Sequence, residues 1–373
     1  MISFNLWYQL INQVLFQNIN FDSYYIDSIL DVKPFYTMAR SGVKQNSPKH
    51  SVLFFDQEPV HPELLQFMGA AADWYFVPGS RFFVTSEKSN TVDRYTHGMN
   101  ATSIYYFFHA IAANEWYHQY RWDRPTYHDH KHTYISYNNL VSSYRAHRID
   151  LLGRLYEKNL MSQGLVSFKS PGQDQLVNAV DSNTWYTEES REIFDRNKHL
   201  LTDKFIDTNC VEGYLSATID LINCRDSMVQ VVTETDFYKD KLHLTEKVFK
   251  PMVAGQPFLL LAGVGNLEYL RSYGFKTFGD YWDEGYDGLV DPGDRVGAVV
   301  KIVEDLSNLT HTQQQNMRRD MQHIVEHNFN HLFIELRPYV VAEMTTNIAQ
   351  ALKSQNISYD LGDLLKLYRL LVN

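Results

Sequence analysis

The chain has 373 residues, 44% of them hydrophobic and 14% aromatic, which is enough apolar material for two cores rather than one. A formal net charge of −10, with no basic stripe, speaks against a sequence-independent nucleic-acid binder. The two cysteines, Cys210 and Cys224, form no C-x-x-C pair and no zinc-finger spacing. They read as buried apolar residues in a reducing, cytoplasmic setting, and neither a metal nor a bound cofactor is expected.

The N-terminal stretch MISFNLWYQLINQVLFQNINF lacks a basic start, and Gln9, Asn12, Gln13 and Gln17 interrupt its apolar run. It reads as an amphipathic helix or packed arm, not a signal peptide or membrane span, so no stable membrane insertion is expected. SVLFFDQEP (51–59) reads as a buried strand ending in a polar loop, and ADWYFVP (72–78) and RFFVTSE (81–87) as further strands. The apolar segment 102–120 has a mixed pattern. The polar, ring-rich RWDRPTYHDHKH (121–132) is placed at a domain junction.

Beyond it, HTYISYNN (132–139) reads as a strand running into a loop, and RAHRIDLLGRLYEKNL (145–160) has helical spacing. SMVQVVTET (227–235) is a strand. TEKVFKPMVAG (245–255) reads as a short helix with a threonine cap and a terminal Gly255, kinked or shortened by Pro251. PFLLLAG (257–263) is an apolar strand, VGNLEYLRSYG (264–274) a helix and FKTF (275–278) a short strand. Residues 294–306 and 314–329 read as helices. Alternating strands and helices imply an α/β chain with parallel sheets. The expected division is an N-terminal Rossmann-like domain at 1–130, a second at 131–330, and helices at 331–373 that pack back on the first.

The segment VTETDFYKDKLHLTEKVFKPMVAGQPFLLLAG (232–263) carries the chemistry. It puts Thr245, Glu246 and Lys247 at a helix start, where free backbone N–H groups and the positive dipole end favour a diphosphate. Lys247 adds a full charge, Glu246 offers a carboxylate to ribose hydroxyls, and Glu234 ends the preceding strand at the same crevice. Taken alone, T-E-K is also an ordinary solvated helix start.

The flanking pattern resembles the α1,3-fucosyltransferase family. The pieces are Glu234-Thr235 after a strand, Thr245-Glu246-Lys247, the Ala254-Gly255 turn and the strand Pro257 to Gly263. A second piece is Asp56-Gln57-Glu58-Pro59-Val60-His61, which keeps the family's E-P-x-H in shortened form. A third is SYNNLVSSYRAHRIDLLGRL (136–155), where a strand and an asparagine loop lead into a helix. The three lie in the family's order over roughly residues 50–265; the loop after Glu234 is longer than the family's, and E-T-D replaces E-N-S.

The resemblance implies a GT-B fold, two Rossmann-like domains facing across a cleft. It implies an inverting transfer from a nucleotide-sugar donor, with a GDP-sugar favoured, to an acceptor hydroxyl on a saccharide. It assigns Glu58 as catalytic base, with Asp56, His61 and His109 as alternatives. Arg148 is assigned to the donor diphosphate, with Arg145 as its substitute, and Asn138 shapes the loop; Glu234, Thr245, Glu246 and Lys247 complete the donor site.

Other readings stay open. A phage-type enzyme that glycosylates modified DNA bases would keep the fold and change the acceptor. A sugar-nucleotide epimerase or a non-catalytic carbohydrate-binding module would change the chemistry. Gly263-Val264-Gly265 begins a dinucleotide fingerprint but has Glu268 in place of the third glycine. The acidic loop GDYWDEGYD (279–287) and the row His128, His130, His132 read as structural or acceptor-side features before metal sites.

Overall fold

The computed structural model describes residues 4–16, 21–25, 50–60, 80–206, 215–238 and 241–372. It is a mixed α/β chain with parallel sheets, and its contacts divide it into two compact units. One comprises residues 1–115 with 335–373, the other residues 116–334.

The first unit carries β1 (Phe21–Tyr25), β2 (His50–Phe54), β3 (Ser80–Thr85) and β4 (Ala101–Tyr105). They lie side by side in the order β1-β2-β3-β4, every pair parallel. Val52, Leu53, Phe54, Phe82, Phe83, Val84 and Ile104 are buried, the continuous apolar reading of strands covered on both faces. The N-terminal stretch forms a helix over Phe4–Ile11 that buries Trp7, Tyr8 and Ile11. The mixed segment 102–120 divides into β4, the helix Phe108–Trp116 and a 3₁₀ turn at His118–Tyr120. The strand expected at 72–78 and His61 lie outside the described residues.

The helix Leu336–Ser354 belongs to this unit and lies on β4. Asn347 Nδ2 donates to Tyr105 O at 2.7 Å, Lys88 pairs with Glu343 at 3.6 Å, and Arg337 pairs with Glu115.

The second unit carries β5 (His132–Asn138), β6 (Gly164–Phe168), β7 (Ser227–Thr233) and β8 (Phe258–Leu261). Their order is β8-β7-β5-β6, again all parallel. The helix His147–Glu157 buries Ile149, Leu151, Leu152 and Leu155, and the helix Pro292–Ser307 buries Val296, Val299, Val300 and Val303.

Four local expectations change. The junction placed within 121–132 falls instead between Glu115 and Trp116, because 121–132 is tied into the second unit. Lys131 N donates to Asp226 O, Gln322 Nε2 donates to Pro125 O, and His130 hydrogen-bonds Gln314. FKTF is not a strand: side chains replace a sheet partner. Asn328 brackets the Lys276 backbone with both of its amide atoms, and Glu284 accepts from Phe278 N. The helical stretch 314–329 is two helices, His311–Asp320 and Gln322–Asn330, which meet at the buried Met321. Residues 245–255 form a 3₁₀ turn over Glu246–Val248 and then the helix Phe249–Ala254. Pro251 sits in that helix's first turn, where its missing N–H costs nothing, so it does not break the helix. Gly255 ends it at φ 70°, and a Cβ there would come within 2.6 Å of Pro125 Cβ.

Candidate functional site

In the second sheet the chain leaves β5 for β6 on one side and returns to β7 on the other. Loops that depart in opposite directions leave a crevice beyond the carboxyl ends of β5 and β7, where doubly wound sheets hold ligands. Asn138 ends β5, and its Oδ1 accepts from the Thr233 hydroxyl at 3.0 Å. Thr233 ends β7 and Glu234 follows it, fully buried.

Glu234 anchors the T-E-K turn. Its carboxylate accepts the Thr245 hydroxyl at 2.5 Å, Thr245 N at 3.2 Å and Thr235 N at 3.3 Å. Thr245 in turn caps the turn by accepting from Lys247 N at 3.4 Å. The Lys247 ammonium donates to Thr245 Oγ1 at 2.9 Å and Thr235 Oγ1 at 3.2 Å, and sits 3.5 Å from the buried Glu246 carboxylate. Lys247 is thus fixed against the wall with 30% of its side chain open to solvent. The sequence-predicted Asn138, Arg148, Glu234, Thr245, Glu246 and Lys247 therefore gather at one crevice.

Arg148 is placed there in an unexpected way. Its guanidinium is buried and donates to Leu140 O at 2.6 Å and Thr233 O at 3.1 Å. It staples the loop after β5 to the end of β7 instead of lying open to a ligand. Burial, aided by Arg145, pulls its pKa down to about 9, so it is still a cation at neutral pH. Arg145, in the 3₁₀ turn Ser143–Arg145, is half-buried and has neither ion pair nor side-chain hydrogen bond among the described residues. Of the two arginines considered for the diphosphate, Arg145 is the one with its charge uncommitted.

The loop after Glu234 supplies residues that sequence reasoning missed. Phe237 stacks on the His147 ring at 4.5 Å, and the buried Arg295 guanidinium lies 4.3 Å from the centroid of the same ring. Arg295 also donates to Phe237 O at 2.7 Å and to Leu289 O. Burial, with Arg148, Arg145 and Arg295 nearby, holds the His147 imidazole well below its usual value and therefore neutral. The only signal for this arrangement was the aromatic pair Phe237-Tyr238 inside a polar loop.

In the first unit, the loop after β2 distinguishes the candidate bases. Asp56 is buried and accepts the Tyr8 hydroxyl at 2.6 Å and the Tyr106 hydroxyl at 2.5 Å. Burial and that carboxylate push the Tyr106 phenol well up. Glu87 accepts from Val60 N at 2.7 Å and so fixes the far end of the loop. Glu58 sits between these anchors and is exposed. His109 is buried beside Phe108. Glu58 is the carboxylate of this loop with access to solvent.

The remaining motifs resolve into structure. Gly265 adopts φ 78° before the helix Asn266–Ser272, but the N-terminus of that helix is already taken. Asp287 accepts from Leu267 N at 3.0 Å and Glu268 N at 3.3 Å, where a pyrophosphate would otherwise sit. In the same acidic loop, Glu284 binds Thr277 and Phe278 N, and Asp283 accepts from Gly285 N. His130 is buried against Gln314. Among the described residues no group of three or more His, Cys, Asp or Glu is placed to hold a metal ion, and no helix is long and apolar enough to cross a membrane.

No protein-family model matches the chain, and no curated protein matches it. Among solved structures, the N-terminal domain of trehalose-6-phosphate phosphatase from Candida albicans is similar over 88% of this chain and 75% of that one, with 10% identity and a TM-score of 0.39. A likeness that loose carries no argument about activity.

Proposed function

We propose that the chain is an inverting glycosyltransferase of the GT-B type that binds a nucleotide-diphosphate sugar in the crevice of its second unit. The observation that supports this most is the gathering of Asn138, Glu234, Thr245, Glu246, Lys247 and Arg145 where β5 and β7 end. Cations and a capped turn suit a diphosphate, and nearby carboxylates suit sugar or ribose hydroxyls. Arg148 serves the site by holding its two strand ends in register.

In the proposed reaction, Glu58 takes the proton from an acceptor hydroxyl. The hydroxyl oxygen forms a bond to the anomeric carbon on the face opposite the diphosphate. The carbon–oxygen bond to the diphosphate breaks, and the nucleoside diphosphate leaves with the electron pair. Lys247 and Arg145 stabilise the charge that develops on it, where preorganised electrostatics count most. The exposure of Glu58, against the burial of Asp56 and His109, favours it as the base. The acidic charge balance favours a saccharide over modified DNA as acceptor.

A thermal-shift panel of nucleotide sugars tests the donor half, because a ligand that binds only the native state raises apparent stability. A stabilising response to nucleotide sugars that is weakened in Lys247→Ala is expected. No response across the panel, at millimolar ligand, would remove the reading.

A further inference from the structure

We propose that the seam between β4 and the helix Leu336–Ser354 is a binding groove for a neutral oligosaccharide. The groove lies wholly within the first unit, has a volume of about 460 Å³, and does not rest on the donor reading above. One wall is a row on the helix, Glu343, Asn347, Gln350 and Ser354, whose spacing of three or four residues puts them on one face. From Glu343 to Ser354 the row runs about 16 Å, at about 1.5 Å per helical residue. That is longer than a single sugar ring. The other wall is β4, with Thr102, Ser103 and Tyr105, joined by Lys88. Polar ties hold the two walls: Asn347 Nδ2 donates to Tyr105 O at 2.7 Å, and Gln355 Nε2 donates to Thr102 Oγ1 at 2.8 Å. Between the ties, Ser103 and Gln350 are exposed and make no side-chain hydrogen bond among the described residues.

The lining discriminates between ligand classes. An anion gains little, because Lys88 is 3.6 Å from Glu343 and its ammonium sits 4.0 Å from the centroid of the Tyr105 ring. Glu343 would repel it. A peptide adding a strand to the sheet needs the outer backbone groups of β4, and Asn347 already holds the Tyr105 carbonyl. An apolar ligand would find Ala351 as the one aliphatic side chain among the described lining residues. What remains suits hydroxyls, each of which both donates and accepts. The Ser103 hydroxyl and the Gln350 amide offer both roles, Glu343 accepts, and the Thr102 hydroxyl, which accepts from Gln355, keeps its own proton to donate.

The test probes an array of neutral, sulfated and sialylated oligosaccharides and of extended peptides with the full chain, then measures affinity for the best neutral glycan by calorimetry. Wild type is expected to bind neutral glycans of two or more sugars. Ser103→Trp, which fills the groove from an exposed strand position that accepts an aromatic, should abolish binding. Gln350→Ala, on an exposed helix position where alanine is well tolerated, should weaken it by roughly 2- to 10-fold, the range of one hydrogen bond. Lys247→Ala should bind as wild type does. Binding to no neutral glycan, or neutral-glycan binding untouched by both groove variants, overturns the groove and leaves the donor reading standing. Equal loss in Lys247→Ala does the same by moving the glycan to the donor crevice. Preference for sulfated or sialylated glycans, or for peptides, that is lost in Ser103→Trp overturns the neutral-saccharide assignment.

Discussion

In the first sheet the strands lie in chain order, β1-β2-β3-β4, whereas in the second the chain steps from β5 out to β6 and returns across β5 to β7 and β8. The two carboxyl edges differ accordingly. At the first, the polar groups are consumed by neighbours: Asp56 by two phenols, Val60 N by Glu87. One carboxylate of the same loop, Glu58, is exposed. At the second, the loops part, and the space between them holds Arg145, which has neither ion pair nor side-chain hydrogen bond among the described residues, and Lys247, 30% of whose side chain is open to solvent. Winding order, more than composition, decides which edge opens into a crevice.

That contrast can be broken in several places. The largest effect is expected at Glu58. If the first edge supplies the base and the second the donor site, Glu58→Gln should lower turnover by about 10²–10⁴-fold, the usual contribution of a general base, with nucleotide affinity intact. Full nucleotide release by the variant in steady-state assays would end the base assignment.

Next comes Arg148→Ala. It leaves the buried Thr233 carbonyl without this donor, at roughly 1–3 kcal/mol, and also removes the part-buried bond to Leu140 O, so the denaturation midpoint should fall markedly. Arg145→Ala should leave stability nearly unchanged and weaken nucleotide binding. Equal stability losses in the two variants, measured by denaturant titration, would erase the distinction between staple and ligand group.

A smaller effect is expected at Lys247→Ala, which removes three hydrogen-bond contacts but no fully buried charge. Diphosphate affinity should drop by about tenfold with a modest change in melting temperature.

The smallest concerns pH. Burial outweighs Arg154 and pushes Asp150 up to about 6 from an ordinary value of 3.8. The folded chain then binds more protons than the unfolded one between about pH 4 and pH 6. This group's contribution to stability is therefore lost as pH rises through that window. Asp150→Asn, which keeps an acceptor for Ser190, should flatten the stability profile between pH 4 and 6; an unchanged slope would place the titration elsewhere.

The sequence made the strand ends legible. Glu234, Thr245 and Lys247 are close along the chain, and their spacing around a strand and a turn already implied a shared crevice. What it hid were contacts set by tertiary placement. Nothing local says that Arg148 donates to Thr233 O, that Asp287 occupies the N-terminus of the Asn266–Ser272 helix, or that Asn328 takes the place of a sheet partner for Lys276. Each of these joins residues far apart in sequence. The buried arginines follow one rule that composition could not reveal. Arg318 binds Ser227 O, where β7 begins, and Arg148 binds Thr233 O, where it ends. The central strand is clamped at both tips by guanidiniums that face carbonyls rather than carboxylates, so the clamps are not undone by the acid titration that releases salt bridges.

The helix Leu336–Ser354 completes the first unit only after the chain has traversed the second. During synthesis the order of assembly is thereby reversed. Residues 116–334 are continuous and can finish folding while β4 still waits for the amide of Asn347, and Lys88 for the carboxylate of Glu343. A nascent chain that had emerged from the ribosome as far as residue 334 would present a finished second unit attached to a first unit whose β4 is still uncovered by that helix. The same order makes 116–334 the stretch to express alone, and makes the first unit one that must be rebuilt by linking two separated pieces of chain.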